Sequence, residues 1–175
     1  MADDAYLFDT SAVFARSDVR HRLHTMALSR FRALQNDWLF ISMFTIAEVE
    51  YGLRLNSSLT VDQKNLIRHN LGSFKVLPTD SIIYTPYADI KSVLFERFAP
   101  KTASGGRTKY VEDLLDGVTG KMLGVQEMDL WIVATAVHHD LKLVTGDIKM
   151  RRVVEAAGHL ARTEFWEPSD PPSPH

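Results

Sequence analysis

Hydrophobic positions along the chain form two kinds of segment that alternate. Short apolar runs are typical of strands, and they lie at residues 5–8, 38–41, 74–77, 141–144 and 161–166. Longer segments whose apolar residues recur every three or four positions predict helices, at residues 13–34, 44–55, 59–71, 82–98, 110–123 and 130–138. Strands that alternate with helices in this way indicate a parallel sheet covered on both faces. We therefore predict a three-layer α/β/α sandwich.

Polar residues that cap helices stand before three of the predicted helices. Ser42, Thr60 and Asp80 each precede an apolar stripe with helical spacing. Their side-chain oxygens can accept hydrogen bonds from the free amides of a first helical turn. We expect the helices to begin at these positions.

The composition excludes several classes of site. The chain has 175 residues, the length of a single domain, and no cysteine. Disulfides, thiolate zinc sites, iron–sulfur clusters and thiol nucleophiles are therefore excluded, and any metal would be held by oxygen or imidazole. The 20 Lys and Arg against 22 Asp and Glu give a formal net charge of −2. Nucleic acid would thus have to bind at a local basic patch.

The two ends of the chain and its apolar runs predict where the protein is located in the cell and where its domain ends. The start, Met1-Ala2-Asp3-Asp4, is acidic where a signal peptide needs a basic segment. The longest apolar run, 130–134, is far shorter than the ~20 residues that span a bilayer. We predict a cytoplasmic protein without a membrane partner. The proline-rich composition of residues 168–175 predicts a disordered tail after a domain over residues 1–167.

Four acidic residues lie where a parallel sheet gathers its ligands. Asp9 and Asp147 directly follow predicted strands, Glu48 lies about one turn into the helix after the second strand, and Asp129 opens the helix that leads to the fourth strand. Ligands of such sheets bind beyond the carboxyl ends of the strands, where the strand order reverses. Each acid alone is explained by a cap, a turn or a solvated face. Four carboxylates that converge on one place instead predict a binding site for Mg²⁺ or Mn²⁺, because a cation is needed to offset their repulsion. Such a site activates water for attack on a phosphodiester.

In their order and spacing these residues resemble a known family, the PIN-domain ribonucleases, and most closely the VapC-type toxins of bacterial toxin–antitoxin pairs. The resemblance covers residues 6–166 and rests on four motifs: Leu7-Phe8-Asp9-Thr10-Ser11, Ser42-x-x-Thr45-x-x-Glu48-x-x-x-Gly52, Asp129-Leu-Trp-Ile-Val-Ala and Leu143-Val144-Thr145-Gly146-Asp147.

The resemblance implies a fold, an activity and partners. The fold would be a five-stranded parallel sheet, and the activity that of a Mg²⁺- or Mn²⁺-dependent endoribonuclease acting on structured RNA such as tRNA or rRNA. A homodimer and a small antitoxin that occupies the site are implied as well. The implied catalytic residues and metal ligands are Asp9, Glu48, Asp129 and Asp147, and the candidate supporting hydroxyls are Thr10, Ser11 and Thr145.

Three features leave alternatives open. Glu50 lies closer than Glu48 to the apolar stripe of its helix, so periodicity alone does not choose Glu48, whereas the family motif does. The segment 100–125 is longer than the connection expected in a compact VapC-type toxin, and its Gly-, Ser- and Thr-containing start predicts an exposed loop. Lys149, Arg151 and Arg152 follow Asp147 closely, and we predict that they guide RNA phosphates to the site.

Two other functions compete with the ribonuclease. A non-catalytic RNA- or protein-binding module can use the same fold, because a fold does not fix function. The four mutually repelling carboxylates argue against this reading. A structure-specific DNA nuclease is the second rival, but such enzymes usually need a larger helical clamp.

Overall fold

A parallel sheet of five strands forms the centre of the computed structural model, which describes residues 5–34, 37–100, 106, 108–158 and 161–167. The strands are β1 (Ala5–Phe8), β2 (Trp38–Ser42), β3 (Lys75–Leu77), β4 (Lys142–Thr145) and β5 (Thr163–Phe165). Their spatial order is β3-β2-β1-β4-β5, and Leu7 of β1 pairs with Phe40 on one side and Leu143 on the other. The predicted fold class is confirmed.

Helices cover both faces of the sheet. Those in the described part of the chain are α1 (Thr10–Ser17), α2 (His24–Ala33), α3 (Met43–Leu55), α4 (Val61–Leu71), α5 (Tyr84–Phe98), α6 (Glu127–His138) and α7 (Met150–Ala157). Side chains of neighbouring strand residues point to opposite faces. Phe8 accordingly lies in the core with α1 to α4, where its ring stacks on Phe31 at 4.7 Å, whereas Leu7 lies in the core with α5 to α7.

The strand order reverses between β1 and β4. From β1 the chain moves outward through β2 to β3, and then returns to the other side of β1 to form β4 and β5. The backbone N–H of Asp9 donates to the Val144 carbonyl at 3.1 Å, so the two strand ends are joined at the reversal. This point is where a doubly wound sheet opens a crevice for ligands.

Two of the three predicted helix caps are confirmed. The Ser42 hydroxyl accepts from Thr45 N–H at 3.0 Å, and the Thr60 hydroxyl accepts from Gln63 N–H at 3.2 Å. Asp80 instead accepts from Ile82 N–H, in a turn before α5.

Some predicted helices were wrong in extent or type. The segment 13–34 contains two helices, because the Asp18 carboxylate accepts from Arg20 N–H and holds a turn between them. The segment 110–123 is a 3-10 turn followed by a loop. Gly120 within it and Gly124 directly after it have positive φ angles of 66° and 71°. Helix α7 was missing from the prediction, and α6 begins at Glu127, so Asp129 lies within its first turn.

Three further expectations concern the tail, the loop at 100–108 and the membrane. The tail 168–175 lies outside the described residues, as does most of the predicted loop at 100–108. Among the helices of the described residues, none combines the length and apolarity that crossing a membrane requires.

Candidate functional site

An open pocket of about 480 Å³ lies at the carboxyl ends of β1 and β4. All four predicted acids line it: Asp9, Glu48, Asp129 and Asp147. They come from four separate parts of the chain, and only the sheet topology brings them together. The structure therefore places the sequence-predicted carboxylates in one cavity at the reversal of strand order.

Asp9 is the most buried of the four, with 2% of its surface exposed. It caps α1 by accepting from Ala12 N–H at 2.8 Å, and the Ser11 hydroxyl donates to Oδ1 at 2.7 Å. Thr145 Oγ1 donates to Oδ2 at 2.5 Å. Burial nevertheless raises the pKa of Asp9 to about 6, more than these hydrogen bonds lower it.

Glu48 faces the pocket from α3, and the Thr10 hydroxyl donates to its Oε2. Burial raises the pKa of Glu48, the hydrogen bond from Thr10 opposes that rise, and the charge of Asp147 adds to it. Glu50, the other candidate on this helix, forms a two-pronged ion pair with Arg68 of α4, with distances of 2.7 and 3.0 Å. Glu48 is thus the glutamate of α3 that lines the pocket.

Asp129 is positioned by the first turn of α6. The backbone N–H of Gln126 donates to its Oδ2 at 2.8 Å. Burial raises the pKa of Asp129 to about 7, and the neighbouring charges of Glu48, Asp147 and Asp9 push it in the same direction. The negative charges of these neighbours therefore disfavour the ionised form of Asp129.

Asp147 lies in the turn between β4 and α7. Its N–H donates to Thr145 Oγ1 at 3.0 Å, and its Oδ1 accepts from Lys149 N–H at 2.9 Å. The hydroxyl of Ser11 accepts from Gly146 N–H at 2.7 Å in the same turn. All three predicted hydroxyls, Thr10, Ser11 and Thr145, therefore bond to a pocket carboxylate.

The family-model comparison matches the PIN domain over residues 6–156, which is most of the chain. The chain belongs to the PIN-domain family. No curated protein matches the sequence significantly.

Solved structures with the same fold include chains from toxin–antitoxin complexes. DNA-bound VapBC from Salmonella typhimurium matches with 16% identity over 93% of this chain and 98% of that chain, at a TM-score of 0.61. VapBC2 from Rickettsia felis, bound to a DNA fragment from its promoter, matches with 17% identity over 93% and 99%, at 0.60. FitAcB from Neisseria gonorrhoeae matches with 21% identity over 90% and 95%, at 0.57. At these identities the likeness establishes the fold.

Among the residues that the structure describes, Lys149 is the lysine or arginine that lines the acidic pocket of this PIN domain. Lys149 lies at the rim, and its stem passes close to Gly124, where an added Cβ would be 3.2 Å from Cε. The other two predicted RNA-binding cations are engaged elsewhere. Arg151 pairs with Glu167, and Arg152 pairs with Asp116 at 3.0 Å. Of the three, Lys149 is therefore the one directed to the pocket.

Several pocket residues of the PIN domain were not among the predicted site residues. His21, from the turn between α1 and α2, lines the pocket, and its Nδ1 accepts from Leu23 N–H at 3.2 Å. This bond leaves Nε2 as the ring nitrogen that carries the proton in the neutral form. Tyr51 and Gln126 line the pocket as well. His21 reaches the cavity from a turn, Tyr51 from α3 and Gln126 from the residue before α6, and no sequence motif indicated any of them.

The donor set of the PIN-domain pocket suits a hard divalent cation. Carboxylate and hydroxyl oxygens are the ligands that Mg²⁺ and Mn²⁺ prefer. Among the described residues, no three histidine, aspartate or glutamate side chains lie close enough together to coordinate one metal ion. Instead, Thr10 and Gln126 N–H hold Glu48 and Asp129 through hydrogen bonds.

Proposed function

We propose that this PIN-domain protein is a metal-dependent endoribonuclease and the toxin of a toxin–antitoxin pair. The observation that carries the proposal is the convergence of Asp9, Glu48, Asp129 and Asp147 on one pocket, with raised pKa values at Asp9, Glu48 and Asp129. Buried carboxylates that repel one another destabilise a fold unless a cation neutralises them. Raised pKa values in a cleft are a physical mark of a functional site.

The four carboxylates would hold Mg²⁺ or Mn²⁺. Among them, Asp9 is held in place by hydrogen bonds from the hydroxyls of Ser11 and Thr145. When bound, such ions lower the pKa of a coordinated water and stabilise the charge that develops during phosphodiester hydrolysis. In the hydrolysis, water oxygen forms a bond to phosphorus, the bond from phosphorus to the leaving oxygen breaks, and that oxygen takes up a proton.

The chain's own residues would orient the RNA. Lys149 at the rim supplies the positive charge that brings a phosphate to an acidic pocket. His21 can donate from Nε2 to an RNA oxygen, because its Nδ1 is occupied by Leu23 N–H. Tyr51, which is 65% exposed at the edge of the pocket, offers a ring on which a base can stack.

The proposed partners of this protein are those suggested by the similar solved structures. The similar structures include VapBC complexes and a toxin–antitoxin complex from Klebsiella pneumoniae. We extend this to a small antitoxin that covers the pocket and to a homodimer acting in the cytoplasm on a structured RNA such as tRNA or rRNA. An antitoxin arginine would pair with the carboxylates through two parallel hydrogen bonds.

The test uses purified full-length protein and total cellular RNA with Mg²⁺, Mn²⁺ or EDTA. We expect discrete fragments that require metal and that disappear in Asp9→Asn and Asp129→Asn. Asp62→Asn, an exposed carboxylate of α4 outside the pocket, is the matched control and should cleave like the wild type. Titration with Mn²⁺ followed by calorimetry measures binding separately from cleavage.

Intact RNA with folded wild type, together with no Mn²⁺ binding, would contradict the proposal. That outcome would favour the non-catalytic binding module, which a pull-down of RNA and protein partners then examines. Cleavage that persists in EDTA or in both pocket variants would point to a contaminating nuclease and would also count against the assignment.

A further inference from the structure

The segment between α5 and α6 carries an exposed hairpin next to the pocket. Leu114 and Val125 are buried in the core at its two ends. Between them Leu115 and Met122 form an antiparallel bridge, so residues 115–122 fold back on themselves as the hairpin. Val118 at its tip is 95% exposed. The hairpin is therefore anchored at its base and open to solvent at its tip.

One aspartate organises the hairpin internally. Asp116 Oδ1 accepts from Val118 N–H at 3.0 Å and from Thr119 N–H at 2.8 Å. The N–H of Asp116 donates to the Lys121 carbonyl at 2.8 Å, which closes the turn. These bonds use one oxygen of the carboxylate and leave the other for a partner outside the hairpin.

That partner is on α7. Arg152 Nη2 donates to Asp116 Oδ2 at 3.0 Å. A second attachment lies three residues earlier, where the stem of Lys149 packs on Gly124. Gly124 has a φ of 71°, so both its backbone conformation and the space around it favour glycine. The hairpin and the residues after it are thus docked along the start of α7 at two points.

The two attachments reach the pocket at Lys149. A lysine side chain on the surface has many rotamers, and packing its stem against a fixed wall reduces their number. The stem of Lys149 packs against Gly124, two residues after the end of the hairpin. Because Arg152 holds the hairpin, we infer that it also helps to hold Gly124 in place. Asp129 is oriented differently, by Gln126 N–H within the first turn of α6, and this local bond does not depend on the hairpin.

We propose that Asp116 and Arg152 are positioning residues that clamp the hairpin onto α7 and thereby hold Lys149 toward the RNA phosphate at the acidic pocket. The RNA part of this inference rests on the proposed function. The clamp acts on substrate binding and leaves the carboxylates in place. Its loss should therefore change KM while kcat and Mn²⁺ affinity stay close to their wild-type values.

The kinetic experiment compares Asp116→Asn, Arg152→Gln and Lys149→Gln on an RNA that the wild type cleaves. Asn at 116 keeps Oδ1 for the tip amides, so the hairpin turn is preserved. We expect KM to rise about two- to fivefold in both clamp variants. The double variant Arg152→Gln/Lys149→Gln should be no worse than Lys149→Gln alone, because the clamp acts through the lysine. Arg152→Lys should recover part of the loss.

Arg162→Gln is the matched control. It breaks an exposed ion pair with Asp140 before β4 and β5, at the opposite end of the sheet from the pocket. Its KM should equal that of the wild type. Thermal unfolding of each variant checks that the fold is retained.

A labelling experiment tests the clamp without RNA. An amine-reactive reagent modifies Lys149 at a rate that peptide mass spectrometry measures. We expect this rate to rise about threefold in Arg152→Gln and to stay unchanged in Arg162→Gln.

Unchanged labelling, or a KM that rises independently in the double variant, would overturn the clamp. If labelling rises but wild-type protein cleaves no RNA, the proposed function fails and the clamp on Lys149 stands as a structural device.

Discussion

Thr145 Oγ1 donates to Asp9 Oδ2 at 2.5 Å, and this bond joins the ends of β4 and β1 across the reversal of strand order. The same hydroxyl accepts from Asp147 N–H at 3.0 Å. One fully buried side chain therefore fixes the carboxylate of one pocket acid and the backbone of another. The sheet and the site share this residue, so a change in it should affect the chemistry of the site directly.

Thr145→Val removes the hydroxyl and keeps the shape of the side chain. Asp9 then loses a donor that lowers its pKa, and Asp147 N–H loses its acceptor. Changes to residues that orient metal ligands typically cost about 10- to 100-fold in activity or metal affinity. We expect a loss of that size in kcat/KM, whereas Thr145→Ser should stay within about threefold. A valine variant as active as the wild type would show that the hydroxyl is dispensable.

The pattern of apolar residues predicted the sheet well because buried strands need unbroken apolar runs. It failed at the segment 110–123, whose apolar residues recur with helical spacing although residues 115–122 form a hairpin with Asp116 and the positive-φ Gly120 in its turn. It also missed α7, a helix of eight residues with two basic residues, Arg151 and Arg152, in its first turn. Short helices carry too few periods for their pattern to stand out.

The acids of the pocket could be predicted from their position after strands, but their surroundings could not. Helical periodicity favoured Glu50 and the family motif favoured Glu48. In the fold Glu48 lines the pocket, whereas Glu50 pairs with Arg68 on α4. His21 reaches the pocket through a turn whose path depends on the Asp18 side chain. Such contacts join residues far apart in sequence and leave no local pattern.

Asp129→Asn should stabilise the metal-free protein above neutral pH. The folded-state pKa of Asp129 is about 7, well above the ~3.9 of an unfolded chain, so between these values the folded state binds more protons and its stability falls as pH rises. Asn removes the repelling charge and keeps an oxygen for Gln126 N–H. We expect the free energy of unfolding in EDTA to rise by about 1 to 3 kcal/mol at about pH 8 and to change little at about pH 4.

Urea denaturation at the two pH values measures this difference, with Asp62→Asn as the control that should show no pH-dependent gain. A destabilised Asp129→Asn at high pH would mean that the carboxylate contributes more through hydrogen bonding than it costs through repulsion.

Gly146→Ala should destabilise the turn that carries Asp147. An added Cβ would lie 2.6 Å from Leu23 Cδ1, and Leu23 is fully buried and has little room to move. Overpacking of this kind costs about 1 to 3 kcal/mol. Gly117→Ala is the matched control, because nothing lies within 4 Å of its added Cβ. Chemical denaturation should separate the two variants, and equal stability would show that the Leu23 side chain yields without cost.

Lys149 and Arg151 should contribute unequally to RNA binding although they are two residues apart. Lys149 lines the pocket, whereas Arg151 pairs with Glu167 and its guanidinium lies 4.7 Å from the centre of the Phe165 ring. A cation that neutralises a phosphate releases a counterion, so its removal lowers the slope of log affinity against log salt concentration by about 1. We expect this change in Lys149→Gln and a smaller one in Arg151→Gln, measured by RNA binding of the Asp9→Asn protein across a salt series. Equal slopes in the two variants would mean that RNA displaces Glu167 from Arg151, and the basic start of α7 would then act as a continuous phosphate track.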